Sequence, residues 1–366
     1  MEWRGSWLKV LDSSIDNICM VYNKFAMKKK LSTLGEFGVI DIFARDTKPR
    51  HSWVKTGIGD DCAVLDIGGG QSLLVTTDML IERVHFLPKK ITPYQVGWKA
   101  LAVNVSDIAA MGGEPKAAFL ALGLFPESDE EFVREFKHGL TTCADEFGLD
   151  LLGGDTVATP ADVTVCLTVL GTAPANQVVF RKGAKPGDLI WLGGVVGDSA
   201  AGLHLLLGKP GNLPKRQRDQ LVRTHLEPRP QVELGRWLAK NSLATAMIDV
   251  SDGVLQDLWH ICTQGGVGAE VNADTLPLSK VARQLASSEG CDAREWALEG
   301  GEDYVLLFCT SPEKRDEMLT GNLRSITQKP TEIGRITTER RLKVCFDGVW
   351  CERVPSGYDA FRGKEA

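Results

Sequence analysis

From Gly35 onward the chain is a succession of short apolar runs punctuated by glycine and aspartate, and their spacing switches repeatedly between strand-like and helix-like periods. CAVLDI (62–67) and SLLVTTD (72–78) flank Gly68-Gly69-Gly70 and read as a hairpin. Thr92 and Pro93 open a helix as cap and first residue, and the helix stops at Gly112-Gly113. Ser128 and Glu131 form a capping box ahead of Phe132, Val133, Phe136, Leu140 and Phe147, spaced for one helical face. LDLL (149–152) and VTVCLTVLG (163–171) read as strands. In the second half, DLIWLGG (188–194), AMID (246–249) and YVLLFC (304–309) read as strands, and LKVCF pairs with VWCER across Asp347-Gly348. Helices are expected from about Ser199, from Pro230 and, capped by Ser251, through Leu255, Leu258 and Cys262. This alternation predicts an α/β fold with mixed sheets. A length of 366 residues calls for two domains. The turn-rich stretch 173–188 is the expected boundary, giving domains 35–173 and 174–366 after an appended segment 1–34, in which Met27 is an alternative start.

Composition narrows the function classes. No run approaches the roughly 20 apolar residues that span a bilayer, and the first 26 residues lack the apolar core of a signal peptide. Nine cysteines, an odd number without a C-x-x-C pair, and six dispersed histidines read as reduced cytoplasmic thiols, with neither a disulfide framework nor a zinc site. A net charge of −6 without a dense basic stretch argues against nucleic acid as partner.

The chemistry-bearing signal is aspartate at the ends of apolar segments. Asp60-Asp61 begins the hairpin and Asp78 ends it, so the turn brings Asp61 and Asp78 to one end beside Thr76 and Thr77. Asp107 interrupts an otherwise apolar helix, Asp155 ends a strand in LLGGDT, Asp249 and Asp252 flank a strand-to-helix junction, and Glu302-Asp303 follows paired glycines. Aspartates also cap helices and occupy turns, which accounts equally well for Asp252 and for Asp60. Asp107 is different, because an unpaired carboxylate among apolar residues is costly. Like charges about 4 Å apart repel by roughly 4 kcal/mol at an effective dielectric near 20. Converging carboxylates therefore call for cations, and hard oxygen ligands select Mg²⁺, with Mn²⁺ as a substitute. Gly153-Gly154 and Gly300-Gly301 suit close approach of backbone to a ligand. GGVVGDSAAG (193–202) reads either as a phosphate cradle or as a tight packing turn, and it lacks the Walker A ending.

In order, GIGDDCAVL (57–65), TTDMLIERVHF (76–86), KALAVNVSDIAAMGGEP (99–115), LLGGDT (151–156), FRKGAKPGD (180–188), GDSAAG (197–202), IDVSDGV (248–254), ALEGGEDYVL (297–306) and SGYDAF (356–361) resemble the thiamine-monophosphate kinases. These belong to the wider superfamily of aminoimidazole ribonucleotide synthetase-like ATP enzymes. The resemblance covers about Gly35 to Phe361. It implies a two-domain fold of that kind whose N-terminal sheet forms a homodimer interface, and ATP- and Mg²⁺-dependent phosphorylation of thiamine monophosphate to thiamine diphosphate. It further implies metal ligands at Asp61, Thr76, Thr77, Asp78, Asp107, Asp249 and Asp252, with Asp60 able to bind through water. ATP contacts are implied at Gly154, Asp155, Arg181 and Ser251, and substrate contacts at His85, Glu302 and Tyr358. Bland readings stand beside these: His85 as a packed histidine, Tyr358 as a seal on the C-terminal hairpin, Arg181 as a surface charge. Lys182 in FRKG is a minor departure from the pattern.

Direct in-line transfer is expected, with no general base and no nucleophilic side chain. A selenophosphate synthetase would want a reactive cysteine in an N-terminal glycine-rich segment, where residues 1–34 offer only Cys19. A hydrogenase-maturation relative would want a C-terminal cysteine, where this chain ends GKEA. Aminoimidazole ribonucleotide synthetase is a further rival within the superfamily. A non-catalytic nucleotide- or thiamine-binding regulator is the rival from another class, and intact ligand acids argue against it.

Overall fold

A computed structural model describes residues 30–208, 212–321 and 328–361. Cys19 and the alternative start lie outside the described residues. The chain divides into two compact units, one of residues 47–358 and one pairing the N-terminal segment with the C-terminal tail. In the smaller unit, helix α1 (Leu31–Asp46) runs across the expected change of texture at Gly35, where it kinks. There the Glu36 amide donates to Asp359 Oδ1 at 3.1 Å.

The larger unit begins with strands β1 (Val54–Thr56), β2 (Ala63–Gly68) and β3 (Gln71–Ile81). Gly68, Gly69 and Gly70 all take positive φ, which a tight reversal requires. The turn sets Ala63 opposite Val75 and Leu65 opposite Leu73, the expected register. Helix α2 (Pro93–Ala110) starts with Thr92 capping the Gln95 amide and Gln95 reaching back to the Thr92 amide. Strand β4 (Glu114–Leu124), helix α3 (Glu130–Phe147) and strands β5 (Asp150–Ala158) and β6 (Thr164–Pro174) complete a six-stranded sheet of order β1-β2-β3-β6-β4-β5. The cap of α3 is Asp129, which accepts from the Phe132 amide, one residue after the expected Ser128. Asp155 lies within β5, not at its end, because the ladder with β4 continues to Ala158.

Strands β7 (Leu189–Leu192), β8 (Ala244–Asp249), β9 (Gly268–Asn272), β10 (Leu306–Thr310), β11 (Thr331–Thr337), β12 (Leu342–Phe346) and β13 (Val349–Arg353) form a seven-stranded mixed sheet of order β13-β12-β9-β11-β7-β10-β8. Its helices include α4 (Asp198–Leu206), α5 (Lys215–Leu226), α6 (Val232–Lys240) and α7 (Val254–Gly265), followed by α8 (Lys280–Glu289), α9 (Ala293–Glu299) and α10 (Arg315–Thr320).

Helix α2 is buried nearly all round, and this positions the site. One core cluster joins its residues Val96, Leu101, Val105 and Ile108 to Leu74 and Leu167 of the first sheet and to Leu234, Leu238, Met247 and Leu306 of the second half. Close crossing with α3 depends on two glycines: a Cβ on Gly97 would lie 2.1 Å from the Phe136 carbonyl oxygen, and one on Gly139 would lie 1.7 Å from that of Tyr94. Among the described residues no helix is long and apolar enough to cross a membrane.

Candidate active site

The buried polar side chains of α2 point in four useful directions. Asp107 accepts from Thr76 Oγ1 on β3 at 2.5 Å, and Ser106 Oγ donates to Asp249 Oδ2 at the end of β8 at 2.6 Å. Asn104 Oδ1 accepts from the Asp78 amide at 3.0 Å, and Lys99 Nζ lies 2.8 Å from Glu302 Oε1. The helix thus gathers segments from both sheets around its polar stripe.

Carboxylate oxygens of Asp61, Asp107 and Asp249 lie within 4.8 Å of one another. Burial, then the charges of Asp78, Asp249 and Asp61, push the Asp107 carboxyl well above the ordinary range. Asp249 is pushed up to about 7 by burial and then by Asp61. Asp61 Oδ1 is paired with the Arg181 guanidinium, whereas Asp61 Oδ2 is buried and has no hydrogen-bond partner among the described residues. A buried, unpartnered carboxylate oxygen facing two further carboxylates is unfavourable as it stands. The donors are all oxygens, so the cluster suits a hard divalent cation, Mg²⁺ or Mn²⁺.

A second group, Asp252, Asp257 and His260, brings its ligand atoms within 4.8 Å of one another. Helix α7 starts after Gly253 without a side-chain cap, so Ser251 does not cap it; Asp257, in its first turn, reaches back to accept from the amides of Asp252 and Gly253 at 3.1 Å each. The Ser251 carbonyl instead accepts from the Glu302 amide at 2.7 Å. Gly301 presses against this junction: a Cβ there would lie 2.5 Å from the Ser251 carbonyl oxygen, at φ 68°. Packing against protein backbone by itself requires glycine at Gly301, and likewise at Gly154, whose Cβ would lie 1.6 Å from the Leu120 carbonyl oxygen.

Asp60 is half-buried. Its carboxylate accepts from the amides of Asp61 and Arg181 at 3.1 and 3.3 Å and so anchors the FRKG segment to the hairpin. Burial, followed by the Asp61 charge, pushes it up to about 7. The amides of Gly197 and Ser199, at the start of α4, donate to Asp303 at 2.7 and 3.2 Å. The GGVVGDSAAG segment is therefore a packing turn whose amides the protein itself fills. Burial pushes Asp303 up to about 8.

Five of the expected site residues, Thr77, Gly154, Asp155, His85 and Tyr358, stand outside the carboxylate cluster. Strand alternation turns Thr77 to the opposite face from Thr76, where its hydroxyl lies 2.9 Å from that of Thr168. Gly154 shares a row with Asp78, but through Leu167 and Leu120, three strand spacings or roughly 14 Å away. Asp155 is next to it on the exposed β5. His85 is half-buried at the end of β3, where its Nδ1 accepts from the Ile81 amide at 3.0 Å, and burial lowers its pKa. Nδ1 is thereby committed as an acceptor, so the neutral ring carries its proton on Nε2. Tyr358 is exposed, and the neighbouring Gly357 lies against Asp252 and Gln256 of the α7 start.

Sequence reasoning missed Lys99, Asn104, Ser106, His225, Asp257 and His260. A lone lysine in an apolar helix is the same anomaly that marked Asp107, and it could have marked Lys99.

Residues 59–173 match the family model for AIR synthase related protein, N-terminal domain, and residues 185–347 match that for the C-terminal domain. The chain is 39% identical over 328 residues to the thiamine-monophosphate kinase of Salmonella typhimurium, covering 89% of this chain and 98% of that protein. With the enzyme of Escherichia coli K12 it shares 39% over 329 residues, covering 89% and 98%. The solved structure of AaThiL complexed with AMPPCP and TMP superposes with a TM-score of 0.80 at 33% identity, covering 91% of this chain and 99% of that one. The ordered motifs, the carboxylate cluster beneath α2 and these likenesses agree, and the chain belongs to the thiamine-monophosphate kinase family.

Proposed function

We propose that this chain transfers the γ-phosphoryl group of ATP to the phosphate of thiamine monophosphate, giving thiamine diphosphate and ADP. The observation that carries the reading is the buried, unpartnered Asp61 Oδ2 among the oxygens of Asp107 and Asp249, a site built for divalent cations. Asp61, Asp107 and Asp249, with Asp78, Thr76 and Asp252 beside them, would hold Mg²⁺. When bound, Mg²⁺ neutralises phosphate oxygens on donor and acceptor, the dominant problem when two anions react. The likeness to AaThiL, captured with AMPPCP and TMP, supports the choice of both substrates.

The chain's own residues bind and orient. Arg181, held beside Asp61, offers a planar fork suited to polyphosphate, and Ser251 lies where α7 begins. His85, with its proton on Nε2, donates to substrate and does not accept a proton from it. No base is needed, because a phosphomonoester has a second pKa near 6 and is already dianionic near neutrality. In-line transfer breaks the bond from the γ-phosphorus to the β–γ bridging oxygen and forms one to an acceptor phosphate oxygen. Glu302 and Tyr358 hold the thiamine end.

Pairing of two chains along the first sheet is part of this reading. Met79, Phe119, Leu151, Leu152 and Val157 on β3, β4 and β5 are exposed apolar side chains, which supports a covered face. Gly154 and Asp155 enter the nucleotide site through that pairing. The family boundaries near residues 173 and 185 support domains of 35–173 and 174–366.

Product analysis after incubation with ATP, Mg²⁺ and thiamine monophosphate tests the function. Thiamine diphosphate and ADP are expected in equal amounts, with free thiamine left untouched. Equal turnover of free thiamine contradicts the reading, since it lacks the acceptor phosphate.

A further inference from the structure

Lys99 is a lysine in the middle of the core, 1% exposed, on the largely apolar helix α2. A buried ammonium is costly unless paired. Its Nζ sits 2.8 Å from Glu302 Oε1, and among the described residues no hydrogen bond of good geometry serves it. On the other side of the same carboxylate, His225 of α5 places Nδ1 3.2 Å from Glu302 Oε2 and 3.0 Å from Ser199 Oγ. Burial and the Lys99 charge lower the His225 pKa to about 4, so the ring is neutral; its Nδ1 hydrogen-bonds with Ser199 Oγ and stands within ion-pair distance of the carboxylate.

Glu302 is constrained at the main chain as well. Its φ of 57° lies in the left-handed region that non-glycine residues seldom adopt, and its amide is held by the Ser251 carbonyl. The carboxylate is nonetheless not enclosed: its side chain is 29% exposed, whereas those of Lys99 and His225 are 1% and 6% exposed. Burial raises the Glu302 pKa, but Lys99, His225 and His85 together outweigh it and leave the carboxyl below its ordinary value. A clamp serving only to join two halves of a fold works as well or better with apolar side chains. One wall of buried donors and one open side describe a carboxylate prepared for a ligand.

We propose that Lys99 and His225 are positioning residues for acceptor recognition: from the buried side they hold the Glu302 carboxylate in one orientation, so that its open side meets thiamine monophosphate near His85. This inference rests on the functional reading given above.

The test is a double-mutant cycle read by steady-state kinetics on wild type, Lys99→Met, Glu302→Gln and the double variant. Lys99→Met is expected to raise KM for thiamine monophosphate at least about tenfold, with KM for ATP and kcat changing less than about threefold. In the Glu302→Gln background the same change is expected to move acceptor KM less than about twofold, since its target is gone. Equal, multiplying effects in both backgrounds, or an unchanged acceptor KM in Lys99→Met, overturn the inference. If Lys99→Met does not fold, His225→Asn with and without Glu302→Gln reads the same coupling from the other partner. Failure of wild-type turnover overturns the functional reading; sound turnover with independent variants overturns this inference alone.

Discussion

Two groups of buried charges flank α2, and they are built on opposite principles. At one end Asp61, Asp107 and Asp249 crowd like charges together, leave Asp61 Oδ2 without a partner and push the Asp107 and Asp249 carboxyls upward. Toward the other end Lys99 and His225 line the buried side of Glu302 and bring its carboxyl down. The first group is incomplete without a cation; the second balances its own charge and leaves one side of the carboxylate open. The contrast separates two tasks. The carboxylate cluster should govern the rate of transfer and the response to metal, and the Glu302 group should govern recognition of the acceptor.

The sharpest break in that contrast is Asp107→Asn or Asp78→Asn, each expected to lower kcat by roughly 10²–10³-fold. Melting of the metal-free protein should stay level or rise, because a repelling carboxylate has been removed. A metal-free midpoint well below wild type would mean that these acids hold the fold together.

Next in size is a pH effect on the metal-free protein. Burial pushes Asp60 and Asp249 up to about 7, and Asp303 up to about 8, against an ordinary 3.8. A carboxyl that holds its proton more tightly in the folded state favours folding at low pH. That contribution is complete below 3.8 and is lost as pH rises through about 7 and, for Asp303, about 8. His225 and His260, lowered to about 4, act in the opposite sense: their contribution is present above 6.5 and lost as pH falls through 4. A melting series from about pH 6.5 to about pH 8.5 therefore isolates the carboxyls. The midpoint should fall across it, and Asp249→Asn should flatten the slope. A midpoint that rises with pH would show that the cluster is already compensated.

Smaller effects belong to the acceptor side. His85→Ala and Tyr358→Ala should raise KM for thiamine monophosphate several-fold, with the acidic limb of kcat against pH unmoved. Loss of that limb in His85→Ala, with kcat down by orders of magnitude, would make His85 a base. Smallest of all is removal of residues 1–26, which lie outside the described residues. Activity within about twofold of the full chain is expected, since no motif falls there. A large loss would show that the segment serves the site.

How much of this was legible beforehand follows from sequence distance. The hairpin register followed from three adjacent glycines, and the start of α2 from Thr92 and Pro93, because short-range geometry decides both. Asp107 stood out because a carboxylate in an apolar helix needs an explanation. The partners of α2 were not legible: Ser106 meets Asp249 across 143 residues, and Lys99 meets Glu302 from the other domain. Local capping was misassigned twice: at Ser128, where the adjacent Asp129 offered the same chemistry, and at Ser251, where Asp257 reaches back from the first turn to the amides before the helix. Thr77 and Asp155 show a further limit. Motif order places residues in a family's site, but strand alternation and sheet order decide which of them one chain can bring there.

The claim that the cluster beneath α2 is the cation site, and the Glu302 group is not, is tested most directly by thermal melting with and without Mg²⁺. The proteins are wild type, Asp107→Asn and Glu302→Gln. Ligand that binds only the folded state raises the midpoint. The account predicts a clear Mg²⁺-induced rise in wild type, an equal rise in Glu302→Gln, and little or none in Asp107→Asn. The same rise in all three proteins, or a rise lost only in Glu302→Gln, would contradict it.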